Sequence, residues 1–413
     1  CKSRQLLPIT QEVLYSHLTG QKVIGIYPLL ATDQCRLLAV DFDKSDWKNC
    51  VTAFSEACLS LNIPFLVERS RSGNGAHVWI FFSEPIAAKQ ARLMGAGILD
   101  KAMELYPALD FESYDRMFPN QDHMPAGGFG NLIALPLQKH ARALGNSTFI
   151  DSNFNAFTDP WTVLQQTELM SSSEVNNIVN ELGYNFIEQN QTDVDHEAPW
   201  VKNIPKKNQK IAGCPDAIEL VFANMIHIPI QTLPSQLIAQ LKRLATFSNP
   251  RFFKAQAMRF STTGIPRHIC CARLEGQYLS LPRGCLTDII HLLNQQDTKI
   301  KLKDQRTKGN ILVNINLLTE LSSEQEMACK KILEHDVGVL HAPTAFGKTV
   351  TAISIIAKRQ TNTLIIVHNK ELVSQWKERL HSFLADVEIG TIQGGKAKPS
   401  NQIDIATYQS LIN

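Results

Sequence analysis

Several absences narrow the reading before any motif does. No apolar run in the 413 residues approaches the roughly 18 needed to cross a bilayer, and no charged stretch leads into an apolar core near the start, so neither a membrane span nor a secretory leader is expected. The nine cysteines, among them the adjacent Cys270 and Cys271, include no C-x-x-C pair and no regular spacing. That excludes a zinc ribbon or a disulfide scaffold and is the usage of reduced thiols in a cytoplasmic protein. Net charge is nearly absent: 41 Lys and Arg stand against 39 Asp and Glu, for +2. A global field that gathers nucleic acid is therefore excluded, and any such affinity must come from local patches. There is no heptad run and no internal repeat, which removes coiled coils and solenoids.

What is present is enough apolar material, 44% of the chain, for more than one core, and a length that suggests two or three domains. Residues 1–185 alternate short apolar strands with helical stretches, the pattern of an α/β or α+β domain. "RLLAVDFD" (36–43), "AHVWIFF" (76–82) and "NLIALPLQ" (131–138) read as strands; 47–62, 87–106 and 172–183 read as helices. The polar stretch 186–200 is expected to be a linker. A second unit, 201–320, opens with "VKNIPKKNQK" and carries a basic, strand-like segment over 298–315, which a solvated lysine face explains as well as a binding surface does. A third unit covers 321–413.

The run "LLAVDFDK" ends in Asp41 and Asp43. Residues two apart in a strand share a face and lie about 7 Å apart along it. Carboxylates so close repel unless a cation lies between them, and hard oxygen donors suit Mg²⁺ or Mn²⁺; a pair that caps a turn is the plain alternative. "SGNGAHVWIFF" then supplies Ser72, Gly73, Gly75 and His77. A glycine turn lets backbone N–H groups approach a phosphate, and a hydroxyl and an imidazole add donors, although a packed histidine is an ordinary reading of His77. Together, carboxylates for a metal and a grip for a triphosphate are what a two-metal nucleotidyl transferase needs.

At these residues the sequence resembles the archaeo-eukaryotic primase superfamily, whose members carry D-x-D, then S-x-H, then a third acidic residue. "HLTGQKVIGIYPLLATDQCRLLAVDFDKSDW", "YDRMFPNQD" and "GGFGNLIALPLQKHARALGNSTFID" resemble more closely the primase-polymerase domain of the TOTE conflict systems, where it is joined to a superfamily 2 helicase. The resemblance spans about residues 8–170. It implies a primase fold with an RRM-like catalytic sheet, Asp41 and Asp43 as metal ligands, His77 in catalysis, and Ser72, Gly73 and Gly75 at the incoming nucleotide. Asp115 is the implied third carboxylate, with Asp122 and Asp110 as alternatives. Lys139, His140 and Arg142 after the strand, and Arg69 and Arg71 beside the glycine turn, are placed to reach phosphates.

"VGVLHAPTAFGKTVTAISIIAKR" (337–359) reads as strand, loop and amphipathic helix, the order of a P-loop. Gly347 and the loop amides suit phosphates, Lys348 the β- and γ-phosphates of ATP, and Thr349 its Mg²⁺. Ala342 stands where a first glycine is usual, and Ala345-Phe346 replaces a smaller pair. Gln325 falls where superfamily 2 helicases resemble one another in reading adenine. Gln375, Trp376, Thr407 and Gln409, with Gly394 and Gly395 between them, lie in segments similar to the motifs that touch the nucleic-acid backbone. A partial RecA-like domain is thus implied, preceded by a small accessory domain to which no chemistry is assigned; "FSNPRFFKAQAMRFST" there mixes basic and aromatic residues.

The chain begins with Cys and its last segment reads as part of a continuing domain, so it is expected to belong to something longer. No acidic D-E-x-H segment follows the P-loop, so ATP binding without useful turnover is expected of this stretch. The leading expectation is a primase-polymerase that uses Mg²⁺ or Mn²⁺ and nucleoside triphosphates on a DNA or RNA template, coupled to an ATP-dependent helicase. One alternative is a primase-fold binding module that loads the helicase, for which four metal and nucleotide groups would be surplus. Another is a metal-dependent nuclease, for which the triphosphate grip would be.

Overall fold

The alternation of residues 37–42 builds the first sheet. The computed structural model describes residues 8–43, 45–109, 116–182, 210–312, 315–385 and 387–412, and the chain divides into two compact units, Cys1–Asp304 and Gln305–Asn413. The first unit begins with α1 (Gln11–Leu18), β1 (Gly25–Ile26), β2 (Gln34–Phe42), α2 (Trp47–Ser60), β3 (Leu66–Arg69), β4 (Ala76–Ala87) and α3 (Ala88–Leu105). There follow β5 (Met117–Phe118), β6 (Ile133–Ala134), α4 (Lys139–Ala143), β7 (Thr148–Ile150), α5 (Pro160–Gln166) and α6 (Ser172–Leu182). Strands β5, β2, β4, β3 and β7 form an antiparallel sheet in that order, and β1 pairs with β6 apart from it.

Leu38, Val40 and Phe42 of β2 and Val78, Ile80 and Phe82 of β4 turn to one face, buried with Phe54 and Ala57 of α2 and Met94 and Ile98 of α3. The other face buries Ala39, Trp79 and Phe149 with Ile133 and Leu137. Burial on both faces is why these strands read as nearly continuous apolar runs. Helix α3 comes close because it carries glycine at the contacts: a Cβ on Gly95 would lie 2.7 Å from Leu38, and one on Gly97 2.6 Å from Leu182 of α6. The segment "NLIALPLQ" pairs only over Ile133–Ala134. Pro136 has no N–H to give a ladder, and Leu137 takes φ +69°, so the strand ends there.

The second part of this unit is a five-stranded sheet built from β8 (Ala217–Phe222), β9 (Ile226–Pro229), β12 (Arg273–Glu275), β13 (Tyr278–Leu281) and β14 (Lys299–Asp304), in the order β12-β13-β9-β8-β14. A ribbon of β10 (Thr246–Ser248) and β11 (His268–Cys270) lies apart. Helices Ser235–Leu244 and Leu286–Gln295 cover the sheet through Leu237, Leu241, Ile289 and Leu293 against Leu220, Ile226, Ile228 and Leu279. The basic segment 298–315 is a strand only as far as Asp304, because its parallel partner β8 ends at Phe222, opposite Asp304.

In the second unit, β15 (Thr363–Val367), β16 (Ile389–Gln393) and β18 (Ile403–Thr407) are parallel in the order β15-β18-β16, and β17 (Lys396–Lys398) closes one edge antiparallel through the Gly394-Gly395 turn. Helices Lys348–Arg359 and Lys370–Phe383 pack on it through Ile353, Ile356, Val373 and Leu380. Val337–Leu340, expected as a strand, joins no ladder among the described residues, and Val339 is 91% exposed. A lone extended segment has no pairing to offset its ordering cost. No described helix is long and apolar enough to cross a membrane.

The two parts of the first unit are joined by buried charge. Asp122, 6% exposed, forms ion pairs with Arg92 of α3 and, at 3.5 Å, with Arg267 beside β11, and accepts a 2.9 Å hydrogen bond from Gln256. Burial alone would raise this carboxyl; the guanidinium charges of Arg92 and Arg267 outweigh it and hold the group well below the usual carboxylate range. Asp122→Ala would leave two buried arginines uncompensated and should cost roughly 3–5 kcal/mol of unfolding free energy at neutral pH. Because the folded-state pKa is depressed, this contribution is present above the ordinary aspartate range and fades as pH falls below about 4. Denaturant titrations of both proteins at pH 7 and pH 3 measure it, and equal stability at pH 7 would contradict it.

Candidate active site

Antiparallel register puts three ionisable residues in one row across the first sheet. Asp41 of β2 faces His77 of β4, and His77 faces Glu68 of β3. All three lie on the face of Ala39 and Trp79, two residues further along the strands, where the apolar layer gives way. Glu68 is 1% exposed and accepts from Trp79 Nε1 at 3.0 Å and from Ser147 Oγ at 3.3 Å. Its Oε2 lies 2.9 Å from His77 Nδ1, while His77 Nε2 lies 3.6 Å from Asp41. Burial works against protonating His77, but the hydrogen bond and charge of Glu68, with the charges of Asp41 and Asp43, raise its pKa above the ordinary histidine value. Burial raises the Asp41 carboxyl, with the charge of Asp43 adding to it and His77 and Arg116 opposing it.

The D-x-D pair does converge. Arg116, just before β5, reaches across both carboxylates: its Nη1 lies 3.7 Å from Asp41 and bonds Asp43. Asp41 is 22% exposed and Asp43 52%, and the two line a cavity of about 120 Å³ with Trp47, Leu109 and Arg116. Among the described residues no group of three or more His, Cys, Asp and Glu is arranged to hold a metal ion. The donor chemistry still fits a hard divalent cation, since two carboxylates already share one cationic partner. Asp115 and Asp110 lie outside the described residues. Asp122, the other alternative for the third carboxylate, is committed to Arg92, Arg267 and Gln256.

The glycine turn lies against the aspartates. A Cβ on Gly75 would sit 2.6 Å from the Phe42 carbonyl and 3.0 Å from Asp43 Cα, so only glycine permits this approach. Gly73, at φ +81°, gives its N–H to Ser70, and the Asn74 N–H goes to Ser72 Oγ at 3.3 Å. Those two amides are thus used inside the turn, and the exposed Ser72 hydroxyl, 3.1 Å from Ser70 Oγ, is the outward group. Lys139 and His140 are exposed on α4, whose following loop abuts the turn through Asn146 against Gly73. Arg69 instead donates to the Gly145 and Phe154 carbonyls and braces the loops. Arg142 stacks over Trp161 at 5.7 Å.

In the second unit, Gly347 at φ +88° turns the loop into helix Lys348–Arg359. Lys348 Nζ folds back over the loop, donating to the Ala342 and Pro343 carbonyls at 2.7 and 3.0 Å. Gln325 caps its own helix with Ser322 and donates to the Phe346 carbonyl at 2.7 Å, so it braces the loop directly. Thr349, half-buried, is the second residue of the helix. Trp376 packs on the core, the Thr407 hydroxyl pairs with Ser410 at 2.9 Å, and Gln409 donates to the His368 carbonyl.

Glu68 and Arg116 are the site residues the sequence reading missed. Arg116 stood inside the quoted "YDRMFPNQD", but nothing in a single sequence says that it folds onto Asp41 and Asp43. Glu68 left one signal, an acidic residue directly after the apolar run of "FLVER". If Glu68 sets the protonation of His77, Glu68→Gln should move the His77 titration, followed by ¹H–¹⁵N NMR of the ring nitrogens, to lower pH. An unmoved titration would assign the raised value to the aspartates instead.

Residues 1–178 match the family profile described as TOTE conflict system, Archaeo-Eukaryotic Primase domain, and residues 318–413 match that described as Type III restriction enzyme, res subunit. Among curated proteins, the chain is 37% identical over 91 residues to the DNA 3′-5′ translocase XPB2 of Sulfurisphaera tokodaii, covering 22% of this chain and 20% of that protein. It is 34% identical over 100 residues to the putative DNA 3′-5′ helicase Rad25 of Haloarcula marismortui, covering 24% and 16%. With the putative helicase 109L of Invertebrate iridescent virus 3 it shares 31% over 96 residues, covering 23% and 29%. The chain thus spans less than a third of the length of any of these three relatives. Residues 1–178 are therefore similar to the archaeo-eukaryotic primase domain of the TOTE conflict systems, and residues 318–413 to the superfamily 2 helicase-like domains of these relatives.

Proposed function

We propose that the first unit carries out template-dependent nucleotidyl transfer on DNA or RNA, as a primase-polymerase, on an RRM-like catalytic sheet. The observation that carries this reading is the convergence of Asp41 and Asp43 on one cation beside the row of Asp41, His77 and Glu68. Asp41 and Asp43, with Asp115 as the third carboxylate, hold Mg²⁺ or Mn²⁺, which on binding supplies activation of the attacking hydroxyl and stabilises the leaving pyrophosphate. His77, fixed through Nδ1 by Glu68 and with its protonated form favoured by its acidic neighbours, turns Nε2 toward the polyphosphate. Ser72 adds its hydroxyl and Gly73 and Gly75 the close backbone, while Lys139 lies on the adjoining loop.

The second unit, read as part of a RecA-like domain, is proposed to bind ATP: Lys348 exchanges its two carbonyl partners for phosphate oxygens, Thr349 faces Mg²⁺, and Gln325 holds the loop in register. Coupled ATP-dependent helicase activity, in keeping with the helicase and translocase names of the relatives, is proposed for the protein in the cytoplasm. A second reading, a primase-fold binding module that has lost synthesis, draws on the same Arg116, whose guanidinium already pairs with both aspartates.

Incorporation of labelled nucleotides on a template, with and without primer and in Mg²⁺ and Mn²⁺, decides between them. The unmodified chain should incorporate, and Asp41→Ala with Asp43→Ala should reduce the rate by about 10²-fold or more. Template binding without incorporation by either protein would establish the binding module.

A further inference from the structure

Resting on that reading, the geometry points to where the base and sugar of the incoming nucleotide go. The cavity at Asp41 and Asp43 is about 120 Å³. At roughly 30 Å³ per water it has room for ions and a phosphate group but not for a nucleoside. A nucleotide with its phosphates there must place the rest elsewhere. A second cavity, about 340 Å³, shares Arg116 as a wall and is otherwise lined by Asn120, Phe252, Thr262, Ile265 and Pro266. That is near the lower end of the roughly 300–1,000 Å³ of small-molecule sites, a size for one nucleoside rather than a peptide or a nucleic-acid strand.

The lining suits this occupant. Ile265 and Pro266 give apolar surface for the faces of a base, while Phe252, buried beneath the Arg267 guanidinium, forms the floor behind them. Asn120 Oδ1 is buried and has no hydrogen-bond partner among the described residues, an acceptor left for an exocyclic amino or a sugar hydroxyl group. Arg116 stands at the wall common to both cavities. We propose that the 340 Å³ cavity is the nucleoside subsite for the incoming triphosphate, with Arg116 moving from the aspartates to its phosphates when a divalent cation takes the carboxylates. The second part of the first unit, which supplies Phe252, Thr262, Ile265 and Pro266, is then half of the substrate site.

The test is made in the full chain carrying Lys348→Ala, so that the P-loop does not contribute. Binding of each of the four deoxynucleoside triphosphates and of a primer–template is measured by calorimetry, and Mn²⁺ binding by electron paramagnetic resonance. Ile265→Trp, which fills the cavity from a half-buried position, should weaken triphosphate binding by about tenfold or more. Asn120→Ala should weaken it about three- to tenfold through the lost acceptor. Mn²⁺ and primer–template binding should be unchanged in both, with unaltered melting temperatures. Triphosphate binding equal to that of the parent in both variants would overturn the subsite, as would a loss confined to the primer–template. Loss of Mn²⁺ binding in Asp41→Ala with Asp43→Ala marks the metal site separately: if the parent binds no Mn²⁺ there, it is the reading of the aspartates that fails, and if it binds Mn²⁺ but no triphosphate, it is the subsite.

Discussion

The antiparallel register of β2, β4 and β3 is the constraint on which the first site depends. Asp41 opposite His77, and His77 opposite Glu68, follow from backbone pairing rather than from side-chain search. A slip of one residue would turn all three to the opposite face. The slip is prevented by the row two residues away, where Ala39, Trp79 and Leu66 pair in the same register and carry apolar burial on that face. Trp79 also donates to Glu68, so the residue that fixes the register also helps fix the buried carboxylate. The geometry of the candidate site and the core packing are thus set by the same ladder.

A buried carboxylate such as Glu68 is costly unless its lone pairs are used, and here Trp79, Ser147 and His77 use them. The same economy explains the second part of the unit. Asp122 is paired with Arg92 from α3 and Arg267 from just before β11, and Lys242 from the second part donates to the Leu109 carbonyl at 3.3 Å and to that of Pro107. Leu109 lines the cavity at the aspartates, and Asn120, two residues before Asp122, lines the larger one. A part of the chain with no catalytic motif of its own therefore holds both flanks of the segment that delivers Arg116.

Much of this was legible in the sequence where chemistry and periodicity agree. Strands 36–43 and 76–82 and helices 47–62, 87–106 and 172–183 fall within a few residues of β2, β4, α2, α3 and α6, because alternation and helical periodicity are local signals. The shorter reach of "NLIALPLQ" and the unpaired Val337–Leu340 were not legible, since pairing depends on a partner that a single segment does not name. Among the residues singled out, Asp41, Asp43, Gly75 and His77 lie beside one another in the structure. Arg116 and Glu68 do not announce themselves, because an arginine beside a motif and a glutamate in a strand acquire meaning only from what faces them across the sheet. Arg69 shows the converse: beside the glycine turn it looks like a phosphate ligand, yet its donors are taken by backbone carbonyls.

Both proposed nucleotide sites hold a cationic side chain on internal partners, Arg116 on two carboxylates and Lys348 on two carbonyls. Whether such contacts oppose ligand binding depends on solvent. Lys348 is exposed, and hydrogen bonds to exposed carbonyls contribute about 1 kcal/mol each or less, against the stronger charge-assisted contacts a polyphosphate offers. Arg116 is 31% exposed and Asp43 52%, so their pairing is screened, whereas the half-buried Asp41 keeps a raised pKa despite the nearby guanidinium. His77 at 3.6 Å and Arg116 at 3.7 Å do not outweigh burial and the charge of Asp43, and on the proposed reading a divalent ion held directly by the Asp41 carboxylate would compensate it more fully. The imbalance falls on the more buried of the two aspartates, where the dielectric makes charge count most, and that is the physical ground on which the proposed divalent cation would displace the resident arginine.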